Sequence, residues 1–221
     1  MPAKNRNKIF ATNVYYHAYN RGYNQQTIFH DDSDYKAFLY LLRKYLEPGF
    51  QEKKYTPRGE ECLVEPNHVH REVDLVAFCL MPNHFHLLLF QKSLEGMTKL
   101  LVRLCSSYST YFNQKYEKQG SPFQGIYRAV AVTTEEQLLH LSRYIHLNPS
   151  QLIDKLSNYP YSSYAWFLSG EAPLWLKAEK ILSGFTKHSD YESFVEDYLK
   201  IKDEEKFMIE EKIINLELDG V

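Results

Sequence analysis

Apolar and polar residues change period several times along the chain, and each change predicts an element. Val14-Tyr15-Tyr16-His17-Ala18-Tyr19 is β-branched and aromatic, which predicts a strand that Asn20-Arg21-Gly22 ends. Asp31 to Asp34 offer N-cap side chains, and Tyr35, Phe38, Leu39 and Leu42 then recur at helical spacing. Residues 47–67 are rich in Pro, Gly and charge and read as a long loop. Two apolar runs, 73–80 and 84–90, flank Met81-Pro82-Asn83, whose turn chemistry predicts an antiparallel hairpin. Leu87-Leu88-Leu89-Phe90 is apolar at every position, as expected of a central strand buried on both faces. Leu101, Leu104, Cys105, Tyr108 and Phe112 form the stripe of a helix over 98–116, which Gly120-Ser121-Pro122 stops. Residues 127–132 read as a strand. Thr134-Glu135-Glu136-Gln137 resembles a capping box, opening a helix that Asn148-Pro149 ends. The order β, α, β, β, α, β plus one further helix is the split βαβ pattern of an α+β, ferredoxin-like antiparallel sheet. Beyond Tyr159 come a Tyr/Ser-rich turn and two or three helical stretches, the last a charged helix over 204–218.

Composition narrows the function classes. With 44% hydrophobic and 15% aromatic residues, the chain can bury a core and is not of the disordered class. No stretch reaches the roughly 18 to 20 apolar residues of a membrane span, and MPAKNRNKIF lacks the apolar run of a signal peptide. Cys62, Cys79 and Cys105 are odd in number and form no CxxC pair, so they read as reduced thiols in a cytoplasmic protein. Charge is unevenly spread. From Glu171 onward there are thirteen acidic and seven basic residues, against fifteen and nineteen in the remainder. Residues 1–30 carry Lys4, Arg6, Lys8 and Arg21 and no acid. A modestly basic body facing a polyanion, with an acidic C-terminal part directed elsewhere, fits that asymmetry, as does ordinary surface charge.

Pro66-Asn67-His68-Val69-His70 recurs sixteen residues on as Pro82-Asn83-His84-Phe85-His86. Strand side chains alternate faces, so His84 and His86 project together and Phe85 opposite. A stiff strand carrying two neutral imidazoles suits a metal site, although a lone HxH is also compatible with core histidines. His68 and His70 follow a polar loop and precede Arg71-Glu72, which makes them solvated loop histidines on this reading. A third ligand is available in Arg143-Tyr144-Ile145-His146-Leu147-Asn148-Pro149. Tyr144 and Asn148, at i and i+4, share one helix face, and His146 lies on another. Asn148 can offer an amide oxygen beside two imidazoles, a set that suits Mg²⁺ or Mn²⁺ better than a thiolate-type zinc site. Tyr144 would then meet a phosphate; Tyr108 and Tyr111 are its rivals.

Several ordered stretches resemble the REP-associated tyrosine transposases, within the single-tyrosine HUH family: Tyr19-Asn20-Arg21-Gly22, LMPNHFHLLL, Tyr111-Phe112-Asn113, FQGIYRA (123–129), RYIHLNP (143–149) and YPYSSY (159–164). The resemblance implies His84 and His86 as metal ligands, Tyr144 as nucleophile and Asn148 as the polar residue completing the metal site. It further implies cleavage of single-stranded DNA, often at a hairpin, through a 5′-phosphotyrosyl intermediate. Arg21, Lys99, Arg103, Lys115 and Arg128 are candidate phosphate contacts. The family includes monomers and also homodimers that set the tyrosine helix against the partner subunit, and the loop 133–137 would decide between them. Residues 1–168 form the resembling domain and 169–221 an acidic helical extension. The 47–67 segment looks inserted. Two other readings remain open: a hairpin DNA- or RNA-binding module that does not cut, and a metal-dependent phosphodiesterase using water.

Overall fold

The computed structural model describes residues 10–200. Lys4, Arg6, Lys8 and the helix expected over 204–218 lie outside the described residues. In chain order the elements are β1 (Val14–Arg21), α1 (Asp32–Leu46), β2 (Glu52–Tyr55), β3 (Glu61–Val64), β4 (Val73–Met81), β5 (His84–Gln91), α2 (Gly96–Tyr116), β6 (Arg128–Val132), α3 (Glu135–Leu147), α4 (Tyr164–Ser169), α5 (Glu179–Leu182) and α6 (His188–Glu196). Apolar runs set the sheet: β4 is buried at every position and β5 nearly so. The four long strands run antiparallel in the order β4-β5-β1-β6, the expected ferredoxin-like arrangement.

Side-chain alternation divides the sheet into two faces. Phe85 points to the face covered by α1 and α2, where it meets Phe38 and Phe123. His84 and His86 point to the other face, over which α3 passes. The N-terminus of α1 forms as expected: Asp31 accepts from the backbone of Ser33 and Asp34, and Asp34 reaches back. The fully buried Asp34 carboxylate also accepts from Lys115 (2.7 Å), Tyr116 (2.7 Å) and Tyr111 (3.1 Å), tying α1 to α2. Asp34→Ala would take from Lys115 one of its two carboxylates and from Tyr116 its acceptor, and should lower urea stability by roughly 1 to 3 kcal/mol. A loss below about 1 kcal/mol would show that the network holds nothing together.

Two expectations are corrected. Residues 47–67 are not a bare loop, because β2 and β3 pair there as a separate two-stranded ribbon. Its strands expose charge and lack an apolar face; cross-strand and ribbon-to-helix pairs, Lys53–Glu61 (2.8 Å) and Lys44–Glu52 (2.5 Å), link it instead. The start of α3 is capped by Thr134, which accepts from Gln137 N, but Gln137 Oε1 accepts from Thr133 rather than completing the box on Thr134. Helix α2 begins at Gly96 and ends at Tyr116, capped by Glu117, a left-handed residue at φ 51°, ahead of the expected glycine.

The chain after α3 wraps the sheet edge. Leu176 bridges β4 at Leu75, and Trp175 stacks on Phe78. Trp175, Leu176, Ile181, Tyr191 and Val195 of the expected extension join the same hydrophobic core as the sheet.

Candidate active site

Pairing register decides which residues meet. Tyr19 lies opposite His86 and Arg21 opposite His84 across β1 and β5. Arg128 lies opposite Tyr19 across β1 and β6. Arg128, Tyr19 and His86 therefore form one row on the open face, with Arg21 and His84 in the next. The turn after Arg21 packs backbone on backbone: a Cβ on Gly22 would stand 2.0 Å from Gln26 O, so only glycine fits.

His84 has its ring orientation fixed at Nδ1. Asn83 Nδ2 donates to Gln25 O (3.3 Å), which turns Asn83 Oδ1 toward His84 Nδ1 at 2.6 Å. The Nδ1 atom then carries the proton, and Nε2 presents a lone pair. That lone pair faces Asn148 Oδ1 at 3.5 Å, while Asn148 Nδ2 donates to Tyr144 O (2.9 Å) and so keeps its oxygen turned inward. Two acceptors thus face each other. His86 is 5% exposed; its Nδ1 pairs with His17 Nε2 at 2.8 Å, and its Nε2 is buried without a hydrogen-bond partner. Burial holds His84 and His86 below the usual imidazole range, so both are neutral bases near pH 7. Lone pairs on two imidazoles, with an amide oxygen alongside, are donors that could hold a divalent cation. Among the described residues no three His, Cys, Asp or Glu side chains converge on one point.

Tyr144 hangs from α3 over this pair. Its ring centroid lies 5.5 Å from that of His86 and 6.1 Å from His17, both edge-on. The tight turn over 133–137 sends α3 back across its own sheet, so Tyr144 faces histidines of its own chain. Tyr108 and Tyr111 are placed elsewhere. Tyr108 is fully buried on α2, beyond the opposite face, and donates to Ile28 O (2.5 Å); Tyr111 joins the Asp34 network. His146, on the reverse of α3, is wholly buried between Ser163 Oγ and Tyr191 OH, each 2.7 Å away. Arg143 sits between the rings of Phe194 and Tyr198, 4.5 and 4.3 Å from their centroids. These contacts lock the tyrosine helix against α6.

Burial pushes the His146 pKa down to about 3, against 6.5 in an unfolded chain. Above pH 6.5 the ring is neutral in both states and its contribution is intact. Between 6.5 and 3 the unfolded chain takes up a proton that the folded chain refuses, so stability falls by up to ~1.4 kcal/mol per pH unit. The urea midpoint should drop from pH 7 to pH 5, and a level midpoint would contradict this account.

The candidate phosphate contacts divide. Arg21 and Arg128 stand on the histidine face, Arg21 with its Nε bonded to Gln124 Oε1 (2.7 Å). Lys99, Arg103 and Lys115 are not brought to the site, because each is engaged on α2. Lys99 pairs with Glu72 (2.6 Å), Arg103 donates to Asn67 O (2.6 Å), and Lys115 binds Asp31 and Asp34. Missed in the sequence was His17, which supports His86. Its signal was the alternation His17, Tyr19, Arg21, but only the register showed that this face is the face of His86. His68 and His70 are also corrected: their segment is pinned and half-buried rather than a solvated loop.

A family model described as transposase, IS200-like, matches residues 41–148, spanning the two histidines, Tyr144 and Asn148. Over that segment the chain is similar to the IS200-like transposases. The match supports a transposase-like, DNA-processing function. The chain's fold is similar to that of a REP-associated tyrosine transposase bound to a REP hairpin, with 13% identity over 78% of this chain and 90% of that one and a TM-score of 0.53. A transposase from Deinococcus radiodurans R1 aligns at 17% identity over 65% of this chain and 95% of that one, with a TM-score of 0.36. No curated protein matches it. Among the described residues no helix is long and apolar enough to cross a membrane.

Proposed function

We propose that this protein cuts and rejoins single-stranded DNA at hairpins through Tyr144, with a divalent ion, Mg²⁺ or Mn²⁺, held by His84, His86 and Asn148. The observation that carries the reading is the partnerless His86 Nε2 beside the opposed His84 Nε2 and Asn148 Oδ1, all beneath Tyr144. When bound, the ion supplies Lewis-acid polarisation of the scissile phosphate. Tyr144 supplies the nucleophile. Its phenol oxygen forms a bond to phosphorus as the P–O3′ bond breaks; the phenol proton leaves to solvent and the departing 3′ oxygen gains one as 3′-OH. The phosphotyrosine keeps the energy of the broken phosphodiester, so a 3′-OH can later displace the tyrosine and reseal the strand. Asn83 holds His84 in the tautomer whose Nε2 is unprotonated, and His17 does the same for His86 by accepting its Nδ1 proton. Arg21 and Arg128, on the same face, are placed to hold the flanking phosphates. The REP hairpin bound by the similar solved structure supports hairpin DNA as the substrate class.

The test is a covalent adduct that survives denaturing electrophoresis, formed with a labelled single-stranded hairpin only when Mg²⁺ or Mn²⁺ is present. Binding without cutting would instead indicate a recognition module, and multiple turnovers without an adduct a water-using phosphodiesterase. His17→Ala should weaken Mn²⁺ binding by roughly 10- to 100-fold, the usual worth of a residue that orients a ligand. An unchanged titration of Mn²⁺ would remove His17 from that role.

A further inference from the structure

The duplicated PNHxH motif leaves one histidine pair outside the reaction. His68 and His70 flank Val69, which is 1% exposed, and the backbone around them is fixed. His68 N bonds Pro66 O (2.8 Å), Val69 N bonds Tyr45 O (2.9 Å), Lys92 Nζ bonds His70 O (2.6 Å), and Arg103 bonds Asn67 O (2.6 Å). Within this frame three ring nitrogens, Nδ1 and Nε2 of His68 and Nδ1 of His70, are buried and lack any hydrogen-bond partner. A buried ring nitrogen that nothing meets is destabilising.

Ring placement narrows what could meet them. The His68 and His70 centroids lie 5.4 Å apart at 69°, close to the 4.9 Å and 86° of His84 and His86. Two imidazoles on one tetrahedral ion, each with a metal–nitrogen bond of about 2.0 to 2.1 Å, hold their centroids about 5.2 Å apart. We infer that His68 and His70 bind a second metal ion, of the nitrogen-preferring class Zn²⁺, Ni²⁺ or Cu²⁺. The ion class follows from the surroundings. No third His, Cys, Asp or Glu joins the pair among the described residues, so water completes the coordination. Arg71 and Lys92 act on His70 as neighbouring positive charges and Asp74 as a negative one. A hard ion such as Mg²⁺, bound through charge and oxygen, gains little there; an ion bound through imidazole lone pairs tolerates it. The pair lies beside the start of β4, at the opposite end of that strand from the β4–β5 turn and His84.

The inference is independent of the DNA reaction, and zinc titration of the full, untagged, EDTA-treated chain separates the two. Isothermal titration should give two Zn²⁺ per chain, because imidazole sites also accept zinc. His68→Asn with His70→Asn should reduce this to one, and His84→Asn with His86→Asn should also leave one, now at the first pair. Two ions retained after His68 and His70 are replaced would overturn the inference, as would loss of all binding in the His84/His86 variant. Should the first double variant fail to fold, histidine-ring ¹⁵N shifts of the unmutated chain decide the matter. Zinc-induced shifts at His68 and His70 support the site, and shifts confined to His84 and His86 refute it.

Discussion

Replacing Tyr144 by phenylalanine is expected to abolish the covalent DNA adduct, a loss of at least about 10³-fold, and to leave hairpin binding within about fivefold, the worth of one ordinary hydrogen bond. Only the hydroxyl is removed. The ring keeps its edge-on packing over His86 and His17, and α3 keeps its anchors at His146 and Arg143. Stability should therefore be unaffected, which separates this substitution from one that misplaces the helix. Cleavage at an undiminished rate would assign the nucleophile elsewhere. Tyr108 and Tyr111 are poor substitutes, since the sheet lies between them and the histidines. Turnover persisting without an adduct would point to water.

The second large effect concerns the histidine pair. His86→Asn should lower cleavage by roughly 10² to 10³-fold through loss of a ligand at a site where Lewis-acid assistance is worth several kcal/mol. EDTA should have the same effect on the unmutated chain, reversed by Mn²⁺. The pH dependence has a definite sign. Protons compete with the ion for imidazole lone pairs, and burial pushes both histidines below the usual 6.5. Metal-supported activity should then persist as pH falls from 7 to 6, where histidines of ordinary pKa would already be losing their ion. A rate profile that collapses through pH 6.5 would show that the buried pair is not what holds the metal. Full activity in EDTA would remove the metal from the mechanism altogether.

Much of the frame was legible because each element carries its own local signal. Asp31 announces a cap through its spacing to Asp34, and the apolar run of 87–90 announces a central strand. HxH and Tyr144/Asn148 share faces by the periods of strand and helix alone. The β2–β3 ribbon was not legible, because its strands are four residues long, largely solvated and tied by pairs such as Lys53–Glu61 rather than by an apolar alternation. Lys115 looked like a free cation on a basic helix, yet its partners Asp31 and Asp34 lie far away in sequence. Lys99 and Arg103 were misleading for the same reason.

Local periodicity in the sequence was sufficient to determine the order of elements, the shared faces of His84 with His86 and of Tyr144 with Asn148, and the ferredoxin-like class, since short-range sterics and burial dictate these. Which faces meet was decided by tertiary structure. Strand register set His17 behind His86 and Arg128 in its row, the 133–137 turn laid Tyr144 over its own sheet, and packing stripped three ring nitrogens of His68 and His70 of water. Those outcomes depend on contacts between residues tens of positions apart, which no local period encodes.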